Sequence, residues 1–360
     1  MKKLVRIQQL FTMLVAATTF TLSGCDLKEE DAPLGAYAQD AVFISNEGNF
    51  GTPNGAVSYY NRSTGKVENE VFQKVNDRVL GDVVQHVSVH NDRAYLVVNN
   101  SNKIEVVNAN TFQEQGAIHN LALPRFFVAL NNDKGYVTEW VSYGVKGRVA
   151  VLNLNTLTVT KTIEVDMLPE QLLIAGNKLY VANSAGNTVA VINTATDAVE
   201  GNISVTGQPN SLALDRSNNL WVLSGGTKVY NPDWSINEAQ SEAGALIKIN
   251  ITNNTVLSTL PFSNRLASPS KLVINGNSDK LYYTYQGKVF EHAVTANALN
   301  GTALLNRSFY GFGIDPVTGV LYGGNAGNFT TEGWVIRFQP DGSKIDSFQV
   351  GIAPNWFSFR

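Results

Sequence analysis

Cysteine is almost absent. Cys25 is the only one in 360 residues, so no intrachain disulfide can form, and stability must come from a core and from closure of the fold. Histidine is scarce too: His86, His90, His119 and His292 are the full set. Beyond the N-terminus no apolar run is long enough to span a bilayer. A basic stripe is missing, which argues against nucleic acid as a partner. Also missing are GxSxG, HExxH, a phosphate-binding loop and the paired cysteines of a metal site. No catalytic residue, metal or other cofactor is therefore assigned. His86 and His90 stand four apart on one expected strand and so share a face. A metal or base role is open for them, but a hydrogen-bonded inner-strand histidine is the preferred reading.

What the N-terminus does contain is an export signal. Lys2, Lys3 and Arg6 precede a short apolar stretch from Leu10 to Thr21, and LSGC (22–25) follows. That order is a secretory signal over 1–24. Its ending resembles a bacterial lipobox, which implies cleavage before Cys25 and lipidation of that residue. An ordinary signal peptide with an incidental cysteine is the competing reading. Removing 1–24 leaves 24 Lys and Arg against 30 Asp and Glu, a net charge of −6. Residues 25–40 read as an acidic tether without periodicity. Lys28-Glu29-Glu30 there resembles the signal that sends lipoproteins of Bacteroidota to the cell surface.

The rest is a repeat. KLYVANSAGNTVAVINTATDAVEGNISVTGQPNSLALD (178–215) holds three short β-rich strands with turns between them and then the first strand of the next unit. Gly, Asn, Asp and Pro bound each strand. With strands named a to d from the axis outwards, strand b carries an aromatic at one position seven times: Phe43, Tyr95, Tyr136, Tyr180, Trp221, Tyr282 and Tyr322. Such residues fill the space between sheets. The chain opens with strands b, c and d (41–72) lacking an a, and ends on an a-type strand, APNWFSFR (353–360), lacking the others. The two halves complete one blade. The fold class is all-β: a single seven-bladed β-propeller over 41–360, closed by pairing of the C-terminal strand with the N-terminal blade.

In such a ring the b–c and d–a loops share one face. The a–b turns on the other face are short and plain. The b–c loops of blades 1, 3, 5 and 7 are long, and they supply Glu47, Asn49, Phe50, Trp140, Tyr143, Tyr230, Trp234, Asn325 and Phe329. Asn100 and Asn183 follow strand b in the shorter loops. The d–a loops converge on the central channel with Gln85, Arg125, Glu170, Asn210, Tyr310, Asn355 and Trp356. Long aromatic loops over a channel mouth of amides and hydroxyls suit a neutral small-molecule ligand, read by hydrogen bonds and stacking.

VFISNEGNFG (42–51), SYYN (58–61), LGDVVQ (80–85), YLVVNNSNKIEVV (95–107) and LPRFFVAL (123–130) stand in one order. Together they resemble the surface propeller lipoproteins of Bacteroidota related to YVTN-repeat proteins, of the DUF5074 type, among them the cobalamin-binding surface lipoproteins. The resemblance implies a lipid anchor as the only membrane attachment, a place on the outer face of the outer membrane, and capture of a ligand. It also implies a corrinoid as that ligand and a TonB-dependent outer-membrane receptor as partner. This chain departs from its relatives at His86 and in the blade 5 loop. Two other readings stand beside capture: a propeller enzyme of lactonase or lyase type, and a protein-interaction or adhesion scaffold.

Overall fold

Strand b of every blade is buried on both sides. Ala41–Asn46 is buried along its whole length, and Arg93–Val98, Lys134–Glu139 and Lys178–Asn183 after their first residue. A half-exposed strand would alternate. Continuous burial means that each sheet is sandwiched between two others, and the outer strands show the converse: Ala198–Ser204 is exposed except at Ile203. The computed structural model describes residues 34–360. Seven antiparallel sheets form, each beginning at the axis with its a strand. The first is built from both ends of the chain: Pro354–Phe359 pairs with Ala41–Asn46, which pairs with Ala56–Asn61. The seven-bladed propeller and its closure by the C-terminal strand are thus as the repeat predicts.

Seven hydrophobic clusters hold the ring, one between each pair of neighbouring blades. The strand b aromatic always faces forward. Phe43 packs with Val84, Leu96 and Phe112 of blade 2. Tyr95 stacks on Phe127 of blade 3 at 4.2 Å, and Tyr322 packs with Tyr60 and Phe357 of blade 1, which completes the circle. Their polar ends are satisfied as well, as burial requires. The Tyr136 hydroxyl donates to Asp197 at 2.7 Å and that of Tyr180 to Asn254 at 3.0 Å, each on the c–d turn of the next blade.

Three details differ from the repeat. The outer strand of blade 1 is only Val67–Glu68, and a short helix, Val71–Asn76, follows it. Val71 and Phe72 sink between blades 1 and 2, and an outer edge strand could not bury both. Blade 6 has three strands, and an isolated bridge from Val289 to Leu305 stands where the fourth would lie. The acidic stretch also stops being a tether earlier than residue 40. Tyr37 is 6% exposed, lies edge-on to Tyr59 at 5.0 Å, and donates to Glu68 at 2.9 Å. The expected signal peptide, Cys25 and the first part of the expected tether lie outside the described residues. Among the described residues no helix is long and apolar enough to cross a membrane.

Candidate functional site

The inner strands begin with a defect that faces the channel. In strand a of blade 2, Val84 pairs with Val98 and His86 with Val97, so Gln85 is left out of the ladder. Blade 3 leaves out Arg125 and Phe126 between Pro124 and Phe127. Blade 4 leaves out Glu170 and Gln171, blade 5 Asn210, blade 6 Lys271 and Leu272, and blade 1 Asn355. A bulge turns the unpaired residue away from its normal alternation. Here it aims one polar side chain from each of six blades at the axis. The chain enters the bulge through a positive φ at Val83, Leu123, Leu168, Gln208 and Ala353 (50° to 58°). None of these is glycine, so the backbone is strained there. Blade 6 is the exception: its positive φ (59°) falls on Lys271 itself.

These residues line a cavity of about 490 Å³ on the loop-rich face. One wall is aromatic, made by Phe126 and Trp356, whose rings lie 5.5 Å apart. His86 packs behind both at 5.1 and 4.8 Å. Burial pushes its pKa down to about 3, and its Nδ1 accepts the Phe127 N–H at 3.3 Å. His86 is therefore a neutral, hydrogen-bonded core histidine. The opposite wall is polar, with Gln171, Ser184, Gln208, Asn210, Ser211 and Ser268.

Between the walls sits a charged group. Arg125 donates from Nε to Glu170 at 3.2 Å and from a terminal nitrogen to Gln85 Oε1, and its guanidinium lies 4.1 Å from the Trp140 ring. Burial raises the Glu170 pKa, against the pull of Arg125. Glu47 accepts from the Tyr310 hydroxyl and from Asn355 Nδ2 at 2.9 Å. Burial raises the Tyr310 pKa, and Glu47 adds to it. Lys271 lines the same cavity with its ammonium 5.4 Å from the Tyr310 ring. Burial lowers its pKa, with Glu47 and Glu170 opposing.

Of the residues expected at the site, Gln85, Arg125, Glu170, Asn210, Asn355 and Trp356 line the cavity. Trp140 and Tyr310 lie against its charged members Arg125 and Lys271, and Glu47 holds Tyr310 and Asn355. Phe50, Tyr143, Tyr230, Trp234 and Phe329 are exposed outside it, Phe50 and Trp234 by more than 80%. Phe329 still meets the Tyr310 ring edge-on at 4.9 Å. The four asparagines expected from the b–c loops do structural work. Asn183 is fully buried and donates to Thr188 Oγ1 at 3.0 Å. Asn100 donates to Asp82, Asn325 accepts from Gly327 N–H within its own turn, and Asn49 ties the blade 1 loop to the Phe329 carbonyl at 2.8 Å.

Lys271 is the functional candidate that the repeat reading missed. The signal was present: it stands two residues after Pro269, as Phe126, Gln171 and Trp356 stand after Pro124, Pro169 and Pro354. Its presence corrects the expectation of a neutral, mostly amide and hydroxyl mouth.

A β-propeller with a partly charged channel mouth is the class of protein that fold and site define. Residues 40–357 match the family described as a domain of unknown function (DUF5074), and the chain belongs to that family. No curated protein matches the sequence. Several solved structures share the fold at low identity. A periplasmic gluconolactonase of Pseudomonas aeruginosa is 13% identical, with 88% of this chain and 99% of that one covered and a TM-score of 0.64. A quinonprotein alcohol dehydrogenase-like protein from Bacteroides thetaiotaomicron is 13% identical over 89% of this chain and 78% of that one, with a TM-score of 0.65. Hydrazine synthase of Kuenenia stuttgartiensis is 16% identical over 76% and 88%, with a TM-score of 0.58.

Proposed function

We propose that the protein is a surface lipoprotein that captures a small molecule at the channel mouth and passes it to a TonB-dependent outer-membrane transporter. The observation that carries the capture reading is the cavity of about 490 Å³ into which six blades each aim a polar side chain. Its size lies in the range of sites for drug-sized ligands. An aromatic wall, its two rings edge to face, stands opposite amides and hydroxyls and provides both apolar contact and hydrogen bonding. Cys25 provides the anchor, and the exposed aromatics of the long loops provide a rim for a larger ligand or for the transporter. A corrinoid, the ligand that the family resemblance implies, would lie across that rim as well as over the cavity.

Isothermal titration of the mature chain tests capture. Cyanocobalamin and a panel of small polar compounds are titrated into the wild type and into Trp356→Ala. A binder in the micromolar range, weakened by about tenfold or more in the variant, is the expected result, since one lost aromatic contact of this kind amounts to about 1.4 kcal/mol or more. Silence from cyanocobalamin alone removes the corrinoid. Silence from the whole panel removes capture. For the anchor, Cys25→Ser is expected to release the protein from the membrane fraction, and labelling of intact cells reports its side.

A further inference from the structure

We infer that the ligand of the channel mouth is a polyhydroxylated monocarboxylate, a sugar acid such as a uronic acid, with its carboxylate paired to Lys271. The inference rests on the capture reading and narrows its ligand.

Three features of Lys271 carry it. First, its ammonium has no direct hydrogen-bond or ion-pair partner among the described residues. Arg125 is held by Glu170 and Gln85, and Glu47 by Tyr310 and Asn355. No hydrogen bond or ion pair among those residues engages Lys271; its ammonium lies 5.4 Å from the Tyr310 ring, and Glu47 and Glu170 attract it without direct contact. A partly buried ammonium with no direct ion pair has donors to spare for an arriving anion. Second, the backbone is strained to place it. Lys271 is unpaired in the bulge and has a φ of 59°, whereas in five other blades the positive φ lies just before the strand. Strain of that kind persists at sites where the placement of the side chain matters. Third, the surroundings define the rest of the ligand. Trp356 and Phe126 offer an aromatic wall for the C–H face of a pyranose ring, and Gln171 Nε2, Gln208 and Ser268, which no side-chain hydrogen bond engages among the described residues, offer donors and acceptors for hydroxyls. Glu170 and Glu47 limit the ligand to one negative charge, because a second anionic group would meet a carboxylate.

The experiment is titration of glucuronate and glucose into the mature wild-type chain, Lys271→Met and Lys271→Arg, with thermal unfolding of each. Glucuronate is expected to bind wild type at least about tenfold more tightly than glucose, the scale of a charge-assisted hydrogen bond. In Lys271→Met that advantage disappears, and in Lys271→Arg it survives. Lys271→Met unfolds at the wild-type temperature or above it, since it removes an unpaired ammonium; a lysine with a structural role would lower it. Equal affinity for the two sugars, or an advantage that persists in Lys271→Met, overturns the inference. So does silence from both sugars. In that case, a binder found in the wider panel preserves capture while the sugar acid falls, and an empty panel removes both.

Discussion

Asp315 joins three separate pieces of chain at the seam of the ring. Its carboxylate is 1% exposed and accepts two hydrogen bonds from Arg62 at 3.0 Å each and one from the Val317 N–H at 2.9 Å. Arg62 belongs to the c–d turn of blade 1, Asp315 to the a–b turn of blade 7, and Arg62 also donates to the carbonyl of Arg360 at the C-terminus. Burial pushes the Asp315 pKa up, but the bonds from Val317, Arg62 and Thr318 outweigh it and hold the pKa below the usual carboxylate range. A carboxylate whose pKa is depressed by folding stabilises the fold above its unfolded pKa, about 4, and the contribution is lost as pH falls through the folded value. Arg62→Ala leaves the charge buried and uncompensated. It is expected to cost about 3 kcal/mol at pH 7, measured by guanidinium unfolding. As pH falls from about 4 through the lower folded pKa of Asp315, the gap from wild type should narrow, because below that value Asp315 is protonated in both proteins. A gap unchanged with pH would mean that Arg62 acts through packing alone.

The inner strand is the element on which the site depends. Its bulge and the left-handed residue before it recur around the ring, though Leu123, Leu168 and Ala353 are not residues that favour a positive φ. If that conformation is imposed by the bulge, Leu168→Gly relieves about 1 kcal/mol of strain while losing a similar amount in chain entropy and partial burial. The net change should stay within about 1 kcal/mol. The same substitution at Val181, fully buried in the adjoining strand, should cost about 3 kcal/mol. Thermal unfolding of the two variants checks the difference. Much of this element was legible. Proline before Arg125, Glu170, Asn210 and Asn355 marks where each strand starts, and alternating apolar residues mark where it runs. The bulge was not legible, because no local residue sets it: proline marks the entry in five blades, but blade 2 bulges at Gln85 behind Val84 as well. Lys271 was overlooked for the same reason: a repeat alignment places it on the strand, whereas the bulge places it in the channel. The helix at Val71–Asn76 and the missing fourth strand of blade 6 were hidden too, since both turn on which apolar side chains find space between blades.

At the scale of the whole molecule, the ring is closed by hydrogen bonds within one sheet: Pro354–Phe359 lies against Ala41–Asn46. Opening the ring requires tearing that sheet, which raises the barrier to unfolding. A circular permutant that joins Arg360 to Gly35 through a short linker and opens the chain between Ile352 and Ala353 keeps all seven sheets but loses this clasp. It is expected to fold and to unfold in guanidinium about tenfold faster or more, the effect of about 1.4 kcal/mol on a barrier. Deleting 353–360 instead bares an edge strand and removes Asn355 and Trp356; the cooperative transition should then be lost. An unchanged unfolding rate in the permutant would show that the clasp plays no kinetic part.

The sequence by itself determined the number of blades, the face that carries the long loops, the seven interface aromatics and the split first blade. Each of these follows from local rules, strand periodicity and turn chemistry, acting over a few neighbours and repeated. The tertiary structure alone decided which polar residues are spoken for. Arg125 finds Glu170 45 positions away, Tyr310 finds Glu47 across 263, and Asn355 finds Glu47 across 308. Only a closed ring brings such partners together, and it leaves the ammonium of Lys271 in the channel with no hydrogen bond or ion pair among the described residues.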